Sequence, residues 1–146
     1  VSNLGQVKAD LVKFSKIEES ATSGLTGGAY LRTGSSGYDI DGLNGVAYIF
    51  DKKNVLGAII ISMNKNRFES IYDAVSRKYT LESEQRPYVG NQFARFRSGS
   101  DYIELDAPHL GFVMDATYMR SDIKSMVLKK VAEEALRKKK RDQAQF

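Results

Sequence analysis

Residues 92–119 read QFARFRSGSDYIELDAPHLGFVMDATYM. This stretch decides the fold class. Three runs rich in β-branched and aromatic residues, Gln92 to Arg97, Tyr102 to Asp106 and Gly111 to Met119, predict three strands. Gly99-Ser100 closes the first hairpin, and Ala107 to Leu110, with Pro108, closes the second. Alternation sorts the side chains by face. Ala94, Phe96, Ile103 and Leu105 point one way, and Phe93, Arg95, Arg97, Tyr102, Glu104 and Asp106 point the other.

Helical periodicity brackets these strands. Phe68, Ile71, Tyr72, Val75 and Tyr79 form the apolar stripe of a preceding helix, capped by Asn64 or Asn66. Glu82 to Pro87 then reads as a polar loop. After the strands, Ser121 or Asp122 caps a last helix with Ile123, Val127, Val131 and Ala135 on its buried side. Residues 1–136 read as a single α+β domain, and 137–146 as a basic tail that frays for want of apolar positions.

The N-terminal half follows a similar order. Asn3 caps a helix carrying Leu4, Val7, Leu11 and Phe14. Ser20 to Gly37 reads as turns around a short strand, Ala29 to Arg32, and Tyr38 to Leu43 as another short strand. Asn44-Gly45 carries a hairpin signal. Strands Val46 to Asp51 and Leu56 to Met63 are joined by a turn at Lys52, Lys53 and Asn54. Helix followed by meander, twice, suggests a duplicated unit. The expected architecture is an antiparallel sheet with helices packed on one face, and a core holding Leu11, Phe14, Phe68, Ile71, Val75, Phe96, Ile103 and Leu105.

The element order, with Phe68, Ile71, Lys78-Tyr79 and then Tyr102-Ile103-Glu104-Leu105, resembles the beta-lactamase inhibitor protein and related small bacterial envelope domains. The resemblance implies a binding or inhibitory role through an open sheet face, and transfers no single residue. Members of that group often carry disulfides, whereas this chain has no cysteine.

Composition bounds the function classes. Of 146 residues, 42% are hydrophobic and 27% charged, as in ordinary globular domains. No run approaches the roughly 20 apolar residues of a membrane helix. The chain starts at Val1, not Met, so its N-terminus is expected to be trimmed, by removal of a secretion signal or at a cloning boundary. These residues do not fix the compartment, and periplasmic or secreted is slightly favoured over cytoplasmic. The net charge of +4 is uneven: from Arg120 onward there are nine basic and four acidic residues, against thirteen and fourteen before it.

No catalytic set, metal site or cofactor motif emerges. His109 is the only histidine and sits beside Pro108 in a turn, so zinc and histidine chemistry lack partners. Asp39 to Gly45 starts like a calcium loop but lacks its ligands at the fifth and twelfth positions, Leu43 and Phe50. The glycines between Gly24 and Gly37 are not followed by the Lys-Ser or Lys-Thr of a phosphate-binding loop. Glu104 and Asp106 share a strand face, the minimum for carboxylate acid–base chemistry, with no third partner in view.

The leading expectation is a non-enzymatic module that binds another protein through Phe93, Arg95, Arg97, Tyr102, Glu104 and Asp106, since Tyr and Arg are common interface anchors. A solvated face laced with cross-strand ion pairs is the plainer alternative. The second expectation is a nucleic-acid-associated protein using Arg137, Lys138, Lys139, Lys140 and Arg141. Partner identity and oligomeric state stay open.

Overall fold

The computed structural model describes residues 2–145. Helix α1 (Leu4–Leu11) leads into strands β1 (Ile17–Thr22), β2 (Ala29–Thr33), β3 (Leu43–Phe50) and β4 (Leu56–Asn64). A 3-10 turn at Lys65–Arg67 opens helix α2 (Phe68–Ser76). Strands β5 (Thr80–Gln85), β6 (Gln92–Ser98), β7 (Asp101–Ala107) and β8 (Val113–Met119) follow, then helix α3 (Ser121–Gln145). All strand pairs are antiparallel, in one sheet ordered β1-β2-β3-β4-β8-β7-β6-β5. Two helix-plus-meander halves therefore meet along β4 and β8, the arrangement a duplicated unit would give.

The pairing register separates two faces. Leu31, Tyr48, Ile59, Tyr118, Ile103 and Phe96 occupy successive rungs across β2, β3, β4, β8, β7 and β6, so their side chains share one face. Both α1 and α2 cover that face. Leu11 packs with Leu31 and Phe50 under α1, while Phe68 and Val75 pack with Phe96, Ile103, Leu105 and Met114 under α2. The third helix differs. Ile123 packs with Ala58 and Met119 on the opposite face. Helices on one face thus holds for α1 and α2, and the first turn of α3 lies on the other.

Local chemistry explains the boundaries. Asn3 Oδ1 accepts from the Gln6 backbone N–H at 3.0 Å, and Gln6 Oε1 accepts from the Asn3 N–H at 3.4 Å, a capping box. Asn64 caps the turn before α2 by accepting from the Asn66 N–H at 3.0 Å. Between β3 and β4, Asp51 Oδ1 accepts from the Lys53 and Val55 N–H groups at 2.8 and 3.0 Å. Asn54 there takes the left-handed conformation, φ 57°.

Several expectations need correction. Asn44-Gly45 is not a hairpin turn: both residues lie in β3, beside a register shift. Gly45 is required by proximity, because a Cβ there would come within 2.7 Å of the Thr33 carbonyl oxygen. Tyr38 to Ile40 is loop, and β3 begins at Leu43. Residues 82–85, read as loop, belong to edge strand β5, and β1 occupies part of the expected 20–37 turn region. Phe14 lies beyond the end of α1 and is 45% exposed, packed edge-on against Tyr38 at 5.2 Å. Val131 and Ala135 are exposed, not buried. Of the segment expected to fray, residues 137–145 are helical and exposed, and Phe146 lies outside the described residues. Among the described residues no helix is long and apolar enough to cross a membrane.

Candidate partner-binding face

The six side chains singled out on the β6–β7 hairpin stand on one face as three facing pairs. Phe93 opposes Asp106, Arg95 opposes Glu104 and Arg97 opposes Tyr102. Their core-facing neighbours Ala94, Phe96, Ile103 and Leu105 are all buried, which fixes this orientation.

Most of the charge on these rungs is spent internally. Arg95 Nε donates to Glu104 Oε2 at 2.9 Å. Lys124 Nζ, from α3, reaches the same oxygen at 2.6 Å. Arg97 Nε donates to Glu82 Oε2 at 2.8 Å, its guanidinium also bonds the Tyr102 hydroxyl, and it lies 4.5 Å from the Tyr102 ring centre. The Arg97 bond holds the Glu82 carboxyl below its ordinary range. The Arg95 guanidinium sits 5.6 Å from the Phe93 ring centre. Glu104 therefore serves as a salt-bridge hub, and proton transfer would require it to leave two cations.

Asp106 is different. Its directly facing neighbour on β8 is Asp115, a like-charged rung. Burial, then Asp115 and Glu104, pushes the Asp106 carboxyl above its ordinary value. Asp115 accepts from Ser62 Oγ at 2.6 Å. Among the described residues neither aspartate has a salt-bridge partner. Beside them on this face lie half-buried Ile60 and Thr117, which are register partners on β4 and β8. The open surface is thus an apolar and hydroxyl strip bordered by two uncompensated carboxylates.

Sequence reasoning placed the six residues together but missed Lys124, Glu82, Asp115 and Ser62. Glu82 was hidden by reading β5 as a loop. Asp115 follows from the alternation of β8 once β8 is paired with β7. Lys124 carried no usable signal, since the expected buried side of α3 ran through Ile123 and Val127.

His109 is an exposed residue of the β7–β8 turn, where its N–H donates to Asn91 Oδ1 at 2.6 Å and Lys65 Nζ donates to its carbonyl at 2.9 Å. Arg137 to Arg141 are exposed on α3, and none forms an ion pair among the described residues. Five consecutive helical positions, each turned about 100°, encircle the helix as a collar and do not line one side. A separate cleft of about 450 Å³ opens on the helix face beside α2, lined by Ile61, Ile71, Tyr118 and Arg67 and by Asp41 of the preceding loop. It includes none of the six residues.

No protein-family model matches this chain, and neither a curated protein nor a solved structure matches it.

Proposed function

We propose that this chain is a non-enzymatic protein-binding module that engages another protein through the open face of its sheet. One observation carries the reading: α1 and α2 seal one face of an eight-stranded sheet, while the first turns of α3 and Leu25 of the β1–β2 loop cover just one part of the other. That leaves Ile60, Thr117, Phe93, Arg95 and Arg97 accessible to a partner, with Tyr102 partly packed against the α3 anchor. Ordered arginines and tyrosines held by their neighbours lose little entropy on docking, which suits them to anchor a partner. The resemblance to beta-lactamase inhibitor-like domains favours an inhibitor or accessory factor of the bacterial envelope.

Capture of partners from an envelope fraction tests this. The Arg95→Ala/Tyr102→Ala double variant, which leaves the core under α1 and α2 unchanged but removes Tyr102 from beside the α3 anchor, is expected to lose capture. Undiminished capture by that variant sinks the sheet-face reading.

A second reading rests on Arg137 to Arg141 of α3, which form no ion pair among the described residues and would contact nucleic-acid phosphates. The collar geometry disfavours it, because a flat or grooved partner meets only two or three of the five. It requires affinity that falls steeply with salt and disappears when the chain stops at Leu136.

A further inference from the structure

Helix α3 spans 25 residues, about 37 Å, yet only Ile123 and Lys124 are buried along it. Beyond half-buried Val127 every described residue is exposed, including Leu128 at 56% and Val131 at 58%. Lys124, Leu128, Val131, Ala135 and Lys138 recur at alternating spacings of four and three, and so form one stripe. Lys139 borders it. The stripe is apolar in its middle and carries Lys138 beyond it, with Asp142 four residues further on, and Lys138 and Lys139 have no ion-pair partner among the described residues.

The open sheet face is complementary to that stripe. Ile60, Thr117 and Phe93 supply apolar surface, and the facing pair Asp106 and Asp115 supplies two carboxylates that form no salt bridge among the described residues. The chain thus carries both halves of a contact that it does not make within itself. One continuous helix joins the Ile123 anchor to Lys138, so docking of the distal stripe on its own sheet would require breaking α3 near Val127.

We infer that the distal half of α3 docks on the open sheet face of a second copy of this chain, with Lys138 and Lys139 against Asp106 and Asp115, in a reciprocal two-fold dimer. This rests on the sheet-face reading above and names a partner for it. Reciprocity doubles every contact, as in any isologous pair. A helix about 10 Å wide spans roughly two strands at their spacing of about 4.8 Å, which suits the β4–β8–β7 strip.

The test uses the full-length chain and two charge reversals. Light scattering on the wild type should give twice the 16.3 kDa chain mass. Asp106→Lys/Asp115→Lys places like charge against the helix, and Lys138→Glu/Lys139→Glu does the same from the other side. Each variant alone should be monomeric, with its dissociation constant raised at least about tenfold. Mixed together, the two variants carry opposite charges at both contacts and should recover the dimer, a result that misfolded chains do not give. A wild type that stays monomeric at high concentration overturns the inference, as does a dimer indifferent to both reversals. In either case capture of an envelope partner, lost or kept in Arg95→Ala/Tyr102→Ala, still judges the sheet-face reading separately.

Discussion

Arg120 Nη2 donates to Asp51 Oδ2 at 2.9 Å, tying the end of β8 to the β3–β4 turn across 69 positions of sequence. The same guanidinium bonds Asp122 in the first turn of α3 and the Leu56 carbonyl. The Val55 N–H, and then Arg120, hold the Asp51 carboxyl below its ordinary value of 3.8, and Arg120 does the same to Asp122. A carboxyl with a depressed folded value stabilises the fold above its unfolded value, and that stability is lost as pH falls through the folded value. Urea melts of the wild type should therefore weaken between roughly pH 5 and 2. Arg120→Ala should cost about 1–2 kcal/mol at pH 7 and flatten that acid slope. An unchanged slope would remove Arg120 as its cause.

The core predicts a sharp contrast between two phenylalanines. Phe96 is fully buried between α2 and the sheet and touches Tyr72 edge-on at 5.5 Å. Phe96→Ala should cost about 3–5 kcal/mol, from lost transfer energy plus a cavity. Phe14, nearly half exposed, should cost under about 1.5 kcal/mol on the same change, since water already reaches much of its ring. Chemical denaturation of both variants checks the order. Equal losses would place Phe14 in a second core.

These two residues also show where sequence reading works. Phe96 sits in a strand whose alternation is strict and whose ends carry turn residues, so both its face and its burial were legible. Phe14 continues the spacing of Leu4, Val7 and Leu11, but α1 stops at Leu11 and periodicity does not report helix ends. Strands β1 and β5 were poorly legible for another reason. They are edge strands, β5 exposed at every position and β1 at all but Ile17, so no alternation marks them. Their identity comes from hydrogen bonds supplied by β2 and β6. Missing β5 hid Glu82, and with it part of the ion-pair network on the open face. The six residues of that face were readable because they share one hairpin.

Gly37 gives a backbone prediction. Its φ is 87°, and a Cβ there would fall 1.8 Å from the Phe14 carbonyl oxygen. Gly37→Ala should therefore cost more than the roughly 1–3 kcal/mol of left-handed strain alone, because the 34–38 loop must also pull away from Phe14. Loss of the Thr33–Tyr38 hydroxyl contact, 2.7 Å in the native fold, should accompany it. Thermal melts and tyrosine spectra report both, and a neutral Gly37→Ala would mean that the loop does not close on the helix end.

The anchor of α3 and its shaft should respond differently to mutation. Ile123 is 1% exposed, and its side chain leaves so little room that a Cβ on Gly57 would meet it at 2.8 Å. Lys124 beside it closes the ion pair to Glu104. Ile123→Ala should cost about 2–5 kcal/mol, and should loosen the first turn of α3 from the open face. Stopping the chain after Leu136 removes described residues that are all exposed, of which Arg137 lines a cleft shared with Gly24, Leu25, Thr26 and Lys52. At concentrations where the chain is monomeric, stability should stay within about 0.5 kcal/mol of the wild type. At high concentration the two variants should diverge differently, because the truncation also deletes Lys138 and Lys139. Melting as a function of concentration resolves the two effects. A truncation that destabilises the dilute monomer would show that the shaft packs on its own sheet after all, whereas a loss confined to concentrated samples traces its role to the contact between copies.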